Sequence, residues 1–153
     1  MHEGIGMRGQ FHFKLRANDG KVKDERTVKN VITLSGKGAV SGLILSDITA
    51  SYAAFDAVAI GIGTTAATNT QTALSTEYAK VACTGTQAQV TSTRDTAQLV
   101  ASFAFTGAAA IVEAGVFNMT ATATGVMLAR QVFAALNATS GDTLAVTYKV
   151  TFA

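Results

Sequence analysis

Phe11, Phe13, Leu15 and Ala17 alternate with His12, Lys14, Arg16 and Asn18. A period of two is the pattern of a strand with one buried and one wet face, so His12 points at water or at a partner. Asn18-Asp19-Gly20 comes next, residues that tolerate positive φ, and predicts a tight hairpin turn into a second strand over residues 21–28. From residue 30 the spacing lengthens: Val31, Leu34, Val40, Leu43 and Leu45 recur more like one face of a helix. This predicts a short helix over residues 37–45. Gly36, Gly38 and Gly42 lower its propensity, so tertiary packing must hold it.

Residues 57–62 form a short apolar run ending in Gly63-Thr64-Thr65, the pattern of a buried strand that leaves its sheet at a glycine turn. Residues 66–72 are small and polar and read as a loop. Strand patterns follow over residues 78–93, 97–106, 111–118, 126–133 and 143–152. The last is the clearest: Leu144, Val146, Tyr148, Val150 and Phe152 share one face, Ala145, Thr147, Lys149 and Thr151 the other. Short, closely spaced strands of this kind predict a mainly β domain, an antiparallel β-sandwich of jelly-roll type with one short helix. The expected organisation is a flexible N-terminal arm over residues 1–10 and a single domain over 11–153.

Composition narrows the function more than it names one. With 153 residues, 48% hydrophobic and 14% charged, the chain is apolar enough to fold as one domain. Ala (28) and Thr (22) dominate, with no Pro or Trp, which implies a thin core of small and β-branched side chains. The net charge of +2 is too small to imply nucleic acid or an anionic membrane as partner. One Cys excludes an internal disulfide, and with two His it makes a structural zinc site a poor reading. The uncharged stretches are broken by Thr, Gln, Asn, Ser and Gly, so none reads as a membrane span, and no secretory signal is expected at the N-terminus.

The charge is uneven. Residues 1–37 hold eight Lys/Arg against four Asp/Glu, the remainder four against six. Arg8, Lys14, Arg16, Lys21, Lys23, Arg26 and Lys29 could form a basic contact surface for another subunit or an acidic partner, or simply the solvated faces of a strand pair. Gly61-Ile62-Gly63 and Gly36-Lys37-Gly38 lack the spacing of phosphate-binding loops and read as turn chemistry. Cys83 shares a strand face with Val81 and reads as a core or half-buried thiol, since His2 and His12 lie in the N-terminal region and nothing couples them to it.

The most informative polar pair is Glu113 and Arg130, each on an otherwise apolar strand face. A hairpin that pairs Asn118 with Gly125 around residues 119–124 places Glu113 directly opposite Arg130, where a two-pronged ion pair would neutralise both. The reading is structural, because no second carboxylate on that hairpin offers an acid/base couple.

Lys29-Asn30-Val31-Ile32-Thr33 with Gly36, residues 59–66 (Ala-Ile-Gly-Ile-Gly-Thr-Thr-Ala), residues 113–118 (Glu-Ala-Gly-Val-Phe-Asn), Met127-Leu128-Ala129-Arg130 and Gly141-Asp142-Thr143-Leu144 together resemble a group of small tailed-bacteriophage structural proteins. Ala66-Ala67 stands where that pattern would carry a proline. The resemblance implies a virion component and not an enzyme, with no cofactor. On it, the expected role is a capsid decoration or cement protein on the outer capsid surface, made in the host bacterial cytoplasm. Its partners would be the major capsid protein, contacted through the basic residues above, and copies of itself as a homotrimer or homodimer. A tail, collar or fibre component is the alternative within the virion. A carbohydrate-binding sandwich is the alternative outside it, disfavoured by the lack of Trp and the scarcity of exposed aromatics.

Overall fold

The computed structural model describes residues 6–44, 53–89, 94–118 and 125–152. The strands are β1 (Met7–Arg16), β2 (Val22–Lys29), β3 (Val31–Ile32), β4 (Ala57–Gly61), β5 (Glu77–Ala82), β6 (Thr84–Ala88), β7 (Thr96–Ala104), β8 (Ala109–Phe117), β9 (Met127–Ala138) and β10 (Thr143–Phe152). Among the described residues one helix, α1 (Leu34–Ile44), lies between β3 and β4. The strands form two antiparallel five-stranded sheets, ordered β2-β1-β10-β7-β6 and β3-β9-β8-β4-β5. We call them the first and second sheet. Their inner faces meet in one core, Phe11, Phe13, Leu15, Leu144, Val146 and Tyr148 from the first against Val58, Ile60, Ile111, Leu128 and Leu136 from the second.

The mainly β class with one helix is therefore as the strand pattern predicts, but the topology does not carry the jelly-roll refinement. Four sequence-consecutive pairs, β1–β2, β4–β5, β6–β7 and β8–β9, stay side by side within one sheet. A jelly roll instead interlocks two Greek keys. The N-terminal arm also needs a shorter boundary: Met7 to Gln10 are strand residues, paired with β10 from Met7↔Phe152 onwards, and residues 1–5 lie outside the described residues.

Two elements differ from the sequence reading for local reasons. The run over 78–93 is two strands, because the chain crosses from the second sheet to the first at Cys83, whose amide donates to the Asp56 carbonyl at 2.7 Å. The end of that run, residues 90–93, lies outside the described residues. The helix starts at Leu34, ahead of its apolar spacing, because Thr33 caps it: the buried Thr33 hydroxyl accepts from the Gly36 amide at 2.9 Å, while the Thr33 carbonyl accepts from Lys37 at 3.1 Å. Leu45 lies outside the described residues.

The helix buries Gly36, Ala39 and Gly42, a stripe without bulk. A Cβ on Gly36 would stand 2.7 Å from the Leu128 Cα of β9, whereas one on Gly38 would meet nothing within 4 Å. The two glycines thus have opposite meanings. Gly36→Ala should destabilise the fold by about 1–3 kcal/mol through overpacking. Gly38→Ala should stabilise it by about 0.5–1 kcal/mol through helix propensity. Urea unfolding of the two variants checks both signs.

Candidate functional site

The Glu113–Arg130 pair forms, although its register is not the predicted one. Glu113 stands opposite Val132 and Arg130 opposite Gly115, with shifts between Ile111 and Glu113 and again between Val116 and Phe117. Asn118 accordingly bonds to Val126 rather than pairing with Gly125: its amide donates to the Val126 carbonyl at 3.2 Å, and its side-chain oxygen accepts from the Val126 amide at 2.7 Å. The offset from the predicted register is two residues, an even number, so both side chains keep a common face and meet as diagonal neighbours.

That face is not the inter-sheet core. Ile111, Ala114, Val116 and Ala129 belong to the core, whereas Ala57, Ala59, Phe117 and Met127 form a second cluster with Leu74. Pairing of Ala57 with Phe117, Ala59 with Gly115 and Gly61 with Glu113 places the carboxylate on the side of this second cluster. The loop from Ile62 to Thr76 covers that side; Leu74 sits over Gly115, where a Cβ would stand 2.9 Å from its Cδ2. Both charged residues are fully buried as a result.

The carboxylate makes five hydrogen bonds. Oε1 accepts from the amides of Gly63 at 3.0 Å and Thr76 at 2.8 Å. Oε2 accepts from the Ser75 amide at 3.0 Å and from Arg130 Nε at 3.0 Å and Nη2 at 2.6 Å. Both prongs of the guanidinium therefore fall on one oxygen, which leaves the other for the loop backbone. Arg130 spends its remaining donors on the same loop, Nη2 on the Thr65 carbonyl at 2.8 Å and Nη1 on Gln71 Oε1 at 2.7 Å. Gly61 and Gly63 are needed for room and not for a turn: a Cβ on either would stand 2.6 or 2.5 Å from Glu113 Oε1, and neither has positive φ. This replaces the turn reading of Gly61-Ile62-Gly63.

With every lone pair answered and no exposure, this pair is a structural clasp. Arg130→Met strands a buried carboxylate and should cost about 3–5 kcal/mol. Adding Glu113→Gln to that variant should recover part of the loss, and chemical denaturation of the single and double variants measures the coupling.

The seven basic candidates separate into groups. Arg26 is consumed within the chain, pairing with Asp24 and donating to the Ala134 carbonyl at 2.7 Å. Lys23 reaches the buried Asp142 at 2.5 Å. Lys21 stands at the hairpin turn, 3.7 Å from Asp19. Arg8, Lys14, Arg16 and Lys29 instead fall on the outward face of the first sheet, where register adds Lys149 beside Gln10. Sequence reasoning missed Lys149 because it lies far along the chain from the other four. Against these cations the face holds Glu25, which pairs with Lys14 at 3.1 Å and His12 at 3.0 Å. The Lys14 hydrogen bond, with help from His12, holds Glu25 below the usual carboxylate range. At the centre of the face lies a polar depression of about 350 Å³, lined by Gln10, His12, Thr27, Gln98, Thr147 and Lys149.

At one end the sandwich is open. An apolar cleft of about 370 Å³ is walled by Val40, Leu43, Phe55, Leu99, Leu128 and Val150, with Phe152 also lining it. Among the described residues nothing fills it, and Ala54, Gly85 and Ala97 on its walls carry no bulk. Ile44, 78% exposed, follows Leu43 in the last turn of the helix. The edge strand β6, which reads Thr-Gly-Thr-Gln-Ala, borders the cleft and carries neither charge nor proline. Such an edge is open to pairing with another chain.

Cys83 is half-buried at the β5–β6 junction, and burial, reinforced by the Asp56 charge, pushes its thiol up to about 11. The thiol stays protonated at neutral pH, the opposite of an activated nucleophile. No described side chain couples a base to it. No family model, curated protein or solved structure matches the chain, so the phage resemblance rests on its motifs. Three of those motifs, residues 59–66, 113–118 and 127–130, converge on the Glu113–Arg130 clasp.

Asp142 gives a pH test of the internal pairing. The Lys23 hydrogen bond, together with the Thr139 amide at 2.8 Å, holds its carboxyl below the ordinary range. A folded-state value below the unfolded one adds stability above the unfolded pKa, and that stability is lost as pH falls below about 4. Asp142→Asn should remove this part of the acid sensitivity, as read from unfolding midpoints across an acid pH series.

Proposed function

We propose that this chain is a structural protein of a tailed-bacteriophage virion, a capsid decoration protein and not an enzyme. In this reading it binds the major capsid protein lattice on the outer capsid surface, stabilises the shell, and associates with copies of itself as a trimer or dimer. It would be made in the host bacterial cytoplasm. The observation that carries the reading is the open end of the sandwich. There, among the described residues, an uncharged edge strand, an apolar cleft and the exposed Leu43, Ile44 and Phe152 offer a surface for a neighbouring chain. Closing such an end buries apolar surface and pairs free backbone, so docking and folding stability reinforce each other.

The coat contact shifts accordingly from the basic residues to this end. Lys23 and Arg26 are satisfied inside the chain, while Arg8, Lys14, Arg16 and Lys29 lie on the outward face of the first sheet and do not line the apolar cleft. Among the described residues no helix is long and apolar enough to cross a membrane, and none is needed for this role.

The test is to mix the purified protein with phage shells that lack it and to image the particles. Lattice-wide occupancy, with raised resistance of the shell to heat, is the expected outcome. The Ile44→Glu/Phe152→Glu variant should fold and bind at least about tenfold more weakly, since a charge is then forced into the apolar contact. Density confined to one vertex would favour the tail, collar or fibre assignment, and absence of any particle binding would overturn the reading.

A further inference from the structure

None of the residues that line the polar depression on the outward face of the first sheet belongs to the hydrophobic core. Its lining comes from four strands: Gln10 and His12 from β1, Thr27 from β2, Gln98 from β7, and Thr147 and Lys149 from β10. Register sets them in two rows, Gln10, Lys149 and Gln98 in one and Thr27, His12 and Thr147 in the next. The rigidity of the paired strands fixes these groups relative to one another. Its volume of about 350 Å³ lies within the range of roughly 300–1,000 Å³ that small-ligand sites occupy.

The lining chemistry selects a ligand. Gln10, Gln98, Thr27 and Thr147 are neutral groups that both donate and accept hydrogen bonds, the complement of hydroxyl groups. Lys149 adds a cation inside the depression; Lys29 and Arg8 stand nearby on the same face. Neither Lys29, Arg8 nor Lys149 makes an ion pair among the described residues, so their charge is available to a ligand. No Phe, Tyr or Trp lines the depression, and its one ring, the His12 imidazole, is engaged with Glu25 at 3.0 Å, so nucleobases and neutral sugars find no broad stacking platform there. A bare carboxylate would use the cations and leave the four neutral groups idle.

We propose that this depression binds an acidic polysaccharide, with sugar hydroxyls on the Gln and Thr side chains and the carboxylate of a uronic acid unit on Lys149. Gln98 lines both this depression and the apolar cleft, but Gln10, His12, Thr27, Thr147 and Lys149 line the depression alone, so the site does not depend on docking at the open end. Among the described residues the ligand's negative charge meets Arg8, Lys14, Arg16, Lys29 and Lys149 on this face, with Glu25 paired to Lys14 and the Asp95 carboxylate bonded to Thr96 beside Thr151.

The experiment is a titration of the isolated protein with oligogalacturonate, followed by backbone amide NMR, with dextran and poly-glutamate in parallel. The expected result is a saturable shift confined to Gln10, Gln98, Thr147 and their neighbours, seen with oligogalacturonate alone and weakening as salt is raised. Lys149→Gln, on the solvent face and neutral to the core, should weaken binding about tenfold, the loss of one charge-assisted hydrogen bond. Gln98→Ala should weaken it without altering the salt dependence. Equal response to poly-glutamate would show a charge-only surface, and equal response to dextran a site indifferent to acid. Either result, or no response to any of the three, would overturn the proposal. Ile44 and Phe152, changed in the shell-binding test, do not line the depression, and Lys149 does not line the cleft, so failure of shell binding with a retained Lys149-dependent response to oligogalacturonate would overturn the docking reading alone.

Discussion

A carboxylate shut away from water must have its oxygens answered by fixed donors, and on one side of this molecule Glu113 imposes that condition on everything around it. Meeting it takes Arg130 from the neighbouring strand and the amides of Gly63, Ser75 and Thr76 from the long loop between β4 and β5. It also forbids a side chain at Gly61 and Gly63. The offsets in the β8–β9 pairing bring the two charges to the outer side of the second sheet, and the loop closes over them. A loop of this length without regular structure is uncommon in a compact domain, and here buried charge gives it one shape. Replacing the pair by apolar residues could be energetically neutral, so its value lies in specifying where the loop sits.

The second constraint is the scarcity of bulk. Small residues let α1 approach β9 at Gly36, and they let Leu74 seat against Gly115. Among the described residues the same economy leaves the cleft at Gly85 and Ala97 unfilled and the β6 edge unpaired. One compositional choice thus yields close packing in the middle of the sandwich and an incomplete contact at its end. The proposed function places neighbouring subunits at that incomplete end.

How much was legible in the sequence follows from which interactions are local. β10 and the β1–β2 hairpin were legible from alternation and from Asn18-Asp19-Gly20, because period and turn chemistry are written in adjacent residues. The Glu113–Arg130 pair was legible as a pair because two charges on apolar strand faces need each other. Its register and its side of the sheet were not, since bulges depend on what packs against the strands. The break at Cys83 escaped because both halves of the run keep strand propensity while changing sheets. The depression and Lys149's place beside Gln10 required long-range register, which no local pattern encodes.

The charge of the molecule is thereby sorted: Glu113 and Arg130 hold the interior, Lys23 and Arg26 tie strands to neighbouring turns and carbonyls, and on the outward face of the first sheet Arg8, Lys29 and Lys149 make no ion pair among the described residues. The claim on which this sorting rests is that the buried pair fixes the loop. Native-state hydrogen exchange at the amides of Gly63, Ser75 and Thr76 tests it most directly. Exchange only through global unfolding, at the rate of the core strands, is the result this account predicts. Exchange at the rate of an exposed loop would mean that Glu113 does not hold these amides, and would contradict it.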